Sequence, residues 1–448
     1  MMVRAKETQN NYLTEFELKF SKTGVTGPSW LSEIRKAAIQ KFAELDFPTT
    51  RQEDWKYTNI SAIANAAFQL AAGLGIGVDL EPARQYLYGG EDAARLVFVD
   101  GQFSKALSSE KAEGHSVRIG SLAEFIRSAE TPIETQLART ADYGNNAFTA
   151  LNTAFLADGA FVEIAAGALV EAPIYLVHIS TGGPLETVAH PRNLILAGHH
   201  SQATIVEQYI GLGASRYFTN AVTEIITGDG AVLDHSKLQQ ESDAAFHIAS
   251  LHVRQGRGST FRSNSIALGG VLVRNDINVV LDGEGAECQL DGLYIENGAQ
   301  HVDNHTLIDH ARPHGSSRET YKGILDGKST GVFNGSIVVR KDAQKTDARQ
   351  SNKNLLLSRD AEINTKPQLE ILADDVKCSH GATIGHIDQE AIFYMRSRGI
   401  DQTTARSLMM YAFCNEIIER IKPAEIQVLI SKAVFARITG GQGLSEDL

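Results

Sequence analysis

The sequence predicts a mainly β protein with a parallel β-helix core flanked by N-terminal and C-terminal helical domains. From about residue 160, short β-branched runs alternate with glycine-bearing turns, and the small residue opening each run recurs at roughly 27 to 30 residues from Ala203 onward. Strands that repeat without helical inserts do not fit a βαβ sheet, because parallel neighbours there need helical crossovers. A parallel β-helix avoids this requirement by coiling the chain back under its previous turn. A β-sandwich or a large cupin-like barrel is the alternative for the same strands.

Three regions follow from this pattern: a mostly helical N-terminal domain over residues 1–158, the β-helix core over 159–383 and a C-terminal helical domain over 384–448. In the first region, Ser29 is a candidate N-cap for a helix whose apolar residues are spaced three and four apart. These residues are Trp30, Leu31, Ile34, Ala37, Ala38 and Phe42. In the core, the corners Gly228–Gly230 and Gly256–Gly258 have the glycines that tight bends favour.

The last region is predicted to form three helices. Asp388 and Asp401 are candidate N-caps of the first two, Gly399 ends the first, and the third follows Pro423. In the second helix we predict one apolar stripe, formed by Ala405, Leu408, Met409, Ala412, Phe413 and Ile417. The segment 393–400 carries few charges, which is typical of a docking surface as much as of a self-contained core.

Composition excludes several classes of function. The formal net charge of −12 disfavours nonspecific nucleic-acid binding, which needs clustered lysine and arginine. No run is long and apolar enough to span a bilayer, and the polar N-terminus does not resemble a secretory signal. Cys288, Cys378 and Cys414 are odd in number and far apart, which favours a reducing compartment, the cytoplasm, over a disulfide framework. Three cysteines are also too few to hold an iron–sulfur cluster, so a second chain would have to supply ligands.

Cys378 and His380 form the first candidate site. In an extended strand, side chains two residues apart lie on the same face, so the thiol and the imidazole are predicted to be neighbours. Thiolate sulfur and imidazole nitrogen are the usual protein ligands of iron and zinc. The residues alone leave open a small buried cysteine beside a hydrogen-bonded histidine, because buried free cysteines are common.

The second candidate site is the histidine-rich stretch 301–314, with His301, His305, His310 and His314. Such a stretch normally suggests a mononuclear metal site. However, His301 and His305 are four residues apart, and in a strand they would be separated by about 13 Å. We therefore favour structural stacking and hydrogen bonds at an interface, and metal binding stays the alternative.

No motif for an enzyme of its own stands out. The sequence has no GxxxxGK[ST] loop, so we predict that the chain is not itself an ATPase, and no nucleophile elbow or helical HExxH pattern stands out either. A β-helical carbohydrate-active enzyme and a histidine-cluster metalloprotein are the rival interpretations. The first usually needs paired carboxylates in a groove, and no obvious array is present.

Several segments resemble one family. The stretches 148–161 and 330–335, the early string 53–58, and the segments 366–381 and 393–400 are similar to the SufB/SufD family of iron–sulfur cluster assembly proteins. The last two segments resemble its SufD branch most closely. Together these segments span nearly the whole chain.

The resemblance implies a right-handed parallel β-helix and a non-catalytic scaffold. It implies a heterodimer with SufB near the C-terminal ends of the two β-helices, and a SufC ATPase docked on each C-terminal helical domain. The matching docking residues are Phe393, Tyr394, Arg396, Arg398, Gly399 and Ile400. A homodimer of the isolated chain is a further expectation.

The same resemblance implies a transient Fe–S cluster shared with SufB, and a reduced flavin in the whole complex. His380 would bind iron or the cluster at the partner interface, with Cys378 beside it. One departure is informative: the SufB scaffold has a reactive cysteine in the preceding strand, whereas Leu357–Ala361 contains no thiol, and Gly381 replaces the glutamate that follows the matching histidine. The resemblance therefore assigns the sulfur-accepting nucleophile to the other subunit.

Overall fold

A computed structural model describes residues 2–22, 27–71, 81–89, 93–109, 116–128, 131–183 and 185–440. The centre of this part of the chain is formed by two long, predominantly parallel sheets that face each other. The strands are β1 (Gln69–Leu70), β2 (Arg95–Val99), β3 (Gln102–Phe103), β4 (Val117–Ser121), β5 (Ala160–Ile164), β6 (Ile174–Ser180), β7 (Thr187–Ala189), β8 (Arg192–Ala197), β9 (Gln202–Gly211), β10 (Phe218–Thr227), β11 (Val232–Gln240), β12 (Phe246–Gln255), β13 (Thr260–Ala267), β14 (Leu272–Leu281), β15 (Glu287–Glu296), β16 (His301–His310), β17 (Ser316–Leu325), β18 (Thr330–Val339), β19 (Asp347–Leu356), β20 (Glu362–Ile371) and β21 (Lys377–Gly385).

The two sheets are the walls of a parallel β-helix. From β8 onward, even-numbered strands form sheet A in the order β8 to β20, and odd-numbered strands form sheet B in the order β9 to β21. Each strand pairs in parallel with the strand one coil earlier, so that Leu233 lies beside Ala203 and Phe261 lies beside Leu233. The predicted fold class is confirmed. At the N-terminal end, the short strands β3 and β4 run antiparallel to β2 and β5.

The corners of the coils have the predicted chemistry. Gly230, Gly258 and Gly285 have φ angles of 65°, 60° and 67°, in the left-handed region that glycine enters without steric cost. His314 and Lys345 have similarly positive φ angles of 60° and 65° at the corners that precede β17 and β19. The glycine pattern therefore marks some corners and misses others.

The helices are α1 (Met2–Phe16), α2 (Ser29–Leu45), α3 (Ser61–Ala64), α4 (Leu122–Arg127), α5 (Thr131–Gln136), α6 (Ala147–Ala154), α7 (Gln389–Ser397), α8 (Gln402–Ile418) and α9 (Ala424–Thr439). A π-helical turn spans Glu17–Lys22, and 3-10 turns span Glu53–Trp55 and Glu81–Tyr86. The helices α1, α2 and α6 share an aromatic cluster with Phe218 and Phe246 of sheet A. The cluster of α7, α8 and α9 instead includes Leu293 and Ile324 of sheet B.

Three local predictions can be compared with these helices. Asp388 and Asp401 are the N-caps of α7 and α8, and each side chain accepts two backbone N–H hydrogen bonds, as predicted. The Ser29 cap was wrong: Ser29 is the first residue of α2, Pro28 is at the N-cap position, and no side chain caps the helix.

The predicted apolar stripe of α8 was also partly wrong. Its buried face includes Met410, Cys414 and Ile418, whereas Ala412 is exposed. The reason is that α8 packs both on strands β15 and β17 and on α9, so two neighbours determine which residues are covered. The domain boundaries at 158 and 383 stay predictions.

Candidate functional site

The β-helix ends in an open edge at its C-terminal end. Strands β20 and β21 are the last strands of sheets A and B, and each has a strand partner on one side only in the described part of the chain. Around this edge, apolar side chains are exposed, with Leu372 at 56% and Ile384 at 52%. Unpaired backbone groups and exposed apolar side chains are typical of a surface that another chain covers.

Cys378 lies on this last coil. Its register partner in β19 is Ala348, which is fully buried in the interior of the β-helix, so Cys378 points to the same interior face. The side chain is half-buried and packs against the interior apolar core. Burial raises the pKa of the Cys378 thiol, which favours the protonated form over the nucleophilic thiolate.

His380 follows two residues later on the same face. Its register partner is Gln350, another buried interior residue, whereas His380 itself is exposed because no further coil covers it. The shared face of Cys378 and His380 therefore agrees with the strand periodicity. Both side chains are available at the open end of the β-helix, where a second chain could complete a ligand set.

Behind His380, the interior of the β-helix is polar. The Nε2 atom of Gln350 donates a hydrogen bond to Oε2 of Glu319, one coil further back, over 2.7 Å. Burial raises the pKa of Glu319 to about 7, although the hydrogen bond from Gln350 partly offsets this effect. Sequence reasoning missed both residues. The coil period could have found them, since Glu319 and Gln350 are 31 residues apart.

The predicted docking segment forms α7 and the turn after it. Phe393 and Tyr394 are 72% and 60% exposed, and Arg396, Arg398 and Gly399 are also exposed. Arg398 donates a hydrogen bond to the hydroxyl of Tyr394 over 3.1 Å, and its guanidinium lies 5.1 Å from the ring centroid. Ile400 is half-buried and packs with the C-terminal cluster instead. Five of the six predicted residues thus lie on an accessible surface.

The histidine-rich stretch is distributed over two faces of β16 and the corner after it. On the outer face, His301 is 2.9 Å from the hydroxyl of Thr58, and His305 is 3.0 Å from the carboxylate of Asp303. On the inner face, His310 is 2.9 Å from the hydroxyl of Ser317. His314 lies at the corner.

Thr58 and Arg274 connect this outer face to the N-terminal segment. The Thr58 hydroxyl donates to Asp303, and the Arg274 guanidinium lies 3.8 Å from the ring centroid of Trp55 while it pairs with Asp303. The structural role favoured for these histidines agrees with the contacts of His301, His305 and His310. Within the described ranges, no group of three or more His, Cys, Asp or Glu side chains is arranged to hold a metal ion.

Comparison with known families gives the context of this edge. The family model "SUF system FeS cluster assembly, SufBD core domain" matches residues 178–413, and the model "SufBD protein N-terminal region" matches residues 6–176. The chain belongs to the SufBD family. Its function therefore lies in iron–sulfur cluster assembly.

Individual SufBD relatives cover nearly the whole chain. An iron–sulfur cluster assembly SufBD family protein of Synechocystis sp. is 34% identical over 420 residues, which is 92% of each chain. The iron–sulfur cluster assembly protein SufD of Escherichia coli is 33% identical over 407 residues, covering 90% of this chain and 92% of the relative. The SufD protein of Bacillus subtilis is 26% identical over 448 residues, covering 94% and 97%.

The helices in the described part of the chain were compared with the length and apolarity that a membrane span requires. Among the described residues, none is long and apolar enough to cross a bilayer.

Proposed function

We propose that the chain is the SufD-type scaffold subunit of a cytoplasmic SUF complex, without catalytic turnover of its own. In this proposal it pairs with SufB, docks a SufC ATPase, and contributes His380 to the nascent cluster. The observation that carries the proposal is the exposed imidazole of His380 on the open edge of the β-helix. Relatives that are named SufD support the choice of subunit.

The open edge supports pairing with a second β-helix. Strands β20 and β21 are ten and nine residues long, and their outer backbone N–H and C=O groups have no strand partner among the described residues. Addition of strands from another chain would pair these groups and cover Leu372 and Ile384. A partner with the same β-helical cross-section fits such an edge best, which favours SufB.

The ligand set supports a shared cluster, built at the interface as the product of assembly. Fe–S clusters usually take four ligands, and this end of the chain offers His380 and, beside it, Cys378. His380 is the firmer ligand, because the pKa of the Cys378 thiol is raised. Leu357–Ala361 contains no thiol, so the sulfur acceptor belongs to the partner in this proposal. We assign no residue of this chain to a reduced flavin.

The C-terminal helices support a mechanical role. The exposed surface of α7 would bind SufC, and α8 is held on strand β17 by Lys322, whose Nζ atom lies 2.5 Å from Glu416. ATP-driven movement of the SufC subunits would thus reach the β-helix through α8. The proposed result is a shift of the SufB–SufD edge between closed and open states, which exposes His380 to iron and sulfide.

The test is co-expression of His380→Ala with SufB and SufC, followed by anaerobic absorption and Mössbauer spectroscopy of the purified complex. We expect cluster content to fall about tenfold or more, since a ligand is lost. His386→Ala is a matched control, because His386 is also exposed at this end but its ring is already bonded to the carbonyl of Leu356 over 2.8 Å. Wild-type cluster content in an intact His380→Ala complex would refute the proposed role.

A further inference from the structure

The interior face of sheet B forms a polar column that leads to the open end. Glu319 of β17, Gln350 of β19 and His380 of β21 are register partners in three successive coils. Neighbouring strands in a sheet are about 4.8 Å apart, so each side chain lies directly on the previous one. Glu319 and Gln350 are buried at 2% and 3% exposure, and only His380 reaches the surface. The column therefore connects the buried interior to the proposed iron ligand.

Gln350 is held in one orientation by its surroundings. Its Nε2 atom donates to Oε2 of Glu319 over 2.7 Å. On the opposite wall, a Cβ atom at Gly335 would lie only 2.2 Å from this same nitrogen, so the amide fits because that residue is glycine. With the nitrogen engaged, the other amide atom, Oε1, is buried and has no hydrogen-bond partner among the described residues.

A buried acceptor without a donor costs about 1–3 kcal/mol, so such atoms normally have a partner in the working protein. The residue that follows Gln350 in the column is His380, and a neutral imidazole has one N–H to donate. Histidines that bind metals commonly donate their other ring N–H to a carbonyl or carboxylate oxygen, which fixes the ring and its tautomer.

We propose that Gln350, held by Glu319, is a positioning residue for His380: its Oε1 atom accepts the ring N–H of His380 and leaves the other ring nitrogen free to bind iron. This inference rests on the proposed function, in which His380 is the ligand. The contact itself, however, involves residues of this chain alone. Because Oε1 has no partner in the structure, the contact forms when the exposed ring of His380 turns toward it, and no metal is required for that rotation. It can therefore be measured without a cluster and without the partner subunits.

The test is the tautomer ratio of His380 in the metal-free full chain, measured by ¹⁵N NMR after labelling of histidine and assigned with His380→Ala. We expect one tautomer to dominate in the wild type. In Gln350→Leu the ratio should move about three- to tenfold toward that of free histidine, the value of one hydrogen bond. Glu319→Gln keeps an acceptor for Gln350 Nε2 and should preserve the wild-type ratio.

The matched control is Asn352→Leu, which makes the same kind of change two residues along the same interior face. Asn352 pairs with Ala382, not with His380, and donates to the carbonyl of Tyr321 over 3.2 Å. It should leave the tautomer ratio of His380 unchanged. If Gln350→Leu does not fold, Gly335→Ala displaces the same amide without removing it and should move the ratio in the same direction.

An unchanged ratio in the folded Gln350 or Gly335 variant would overturn the inference, and so would an equal shift in Asn352→Leu, because that result indicates general loosening. The two proposals fail separately. If Gln350→Leu shifts the tautomer ratio but the His380→Ala complex keeps wild-type cluster content, the contact is supported and the role of His380 as iron ligand is refuted. If Gln350→Leu leaves the tautomer ratio unchanged but the His380→Ala complex loses its cluster, only the contact between Gln350 and His380 is refuted.

Discussion

Lys322 and Glu416 form an ion pair that holds the C-terminal helices on the β-helix, and we expect loss of Glu416 to destabilise the protein more than loss of Lys322. The ammonium is buried, with Nζ 2.5 Å from Glu416, 2.8 Å from the carbonyl oxygen of Phe413 and 4.5 Å from the centroid of that ring. Glu416, by contrast, keeps 40% of its side chain exposed and has two further cations, Lys353 at 3.5 Å and Arg420 at 2.9 Å. The buried cation therefore depends on the pair more than the carboxylate does.

Removal of each partner should cost a different free energy. Glu416→Ala leaves the ammonium buried with one neutral acceptor, and we expect it to cost about 2 kcal/mol, below the usual value for a fully buried pair. Lys322→Met removes the buried charge, fills much of the same volume, and leaves Glu416 in contact with water and other cations. We expect a cost of less than about 1 kcal/mol.

The assay is the reactivity of Cys414, which has 0% exposure in α8 beside Phe413 and becomes accessible when α8 lifts from the β-helix. Thiol labelling followed by peptide mass spectrometry separates Cys414 from Cys288 and Cys378. At about 1.4 kcal/mol per factor of ten, Glu416→Ala should label roughly 30-fold faster than wild type and Lys322→Met less than fivefold faster. Labelling of Lys322→Met at or above the rate of Glu416→Ala would refute the reasoning.

Two other predictions concern the docking surface and the N-terminal contact. Phe393→Ala should weaken SufC binding by about tenfold or more in a titration, because an exposed aromatic side chain is a typical interface anchor. Val428 is an exposed apolar residue on α9, and Val428→Ala should leave the affinity unchanged. Equal effects of the two substitutions would argue against docking on α7. Burial alone would raise the pKa of Asp303, but Arg274 and His305 more than offset it, so this pKa lies well below its usual range. The contact therefore stabilises the fold above the unfolded-state pKa of about 4, and its contribution is lost as pH falls through the lower folded value. The fluorescence of Trp55, measured in a Trp30→Phe background, should show this loss as a transition at acid pH. Asp303→Asn should remove the transition, and an identical transition in that variant would contradict its assignment to Asp303.

Strand periodicity and N-cap residues gave correct predictions from the sequence alone. Two-residue alternation correctly placed Cys378 and His380 on one face, because that rule depends only on extended backbone. Asp388 and Asp401 were correct because capping depends on contacts within one turn. These features are local, so no knowledge of distant residues is required.

The features that were missed depend on packing between distant parts of the chain. The pairing of Gln350 with His380 requires the coil register, and the coil length varies along the β-helix, so the repeat points to the neighbourhood of the partner without fixing the residue. The covered face of α8 depends on α9 and sheet B together. Likewise, the partners of His301 and Asp303 include Thr58, which lies 243 and 245 residues away in sequence.

The two ends of the β-helix differ in a way that limits how many subunits can join. At the N-terminal end the outermost strands β3 and β4 have only two and five residues and run against the coil direction, which makes them poor templates for strand addition. Among the described strands, the long exposed edge is formed by β20 and β21 at the other end. When strand addition is possible at one end only, two chains associate through that end as a twofold-symmetric or pseudo-twofold pair. Both edges are then paired, so no further subunit can add. The same geometry that leaves His380 accessible thus protects a solenoid of parallel strands from polymerising into fibres.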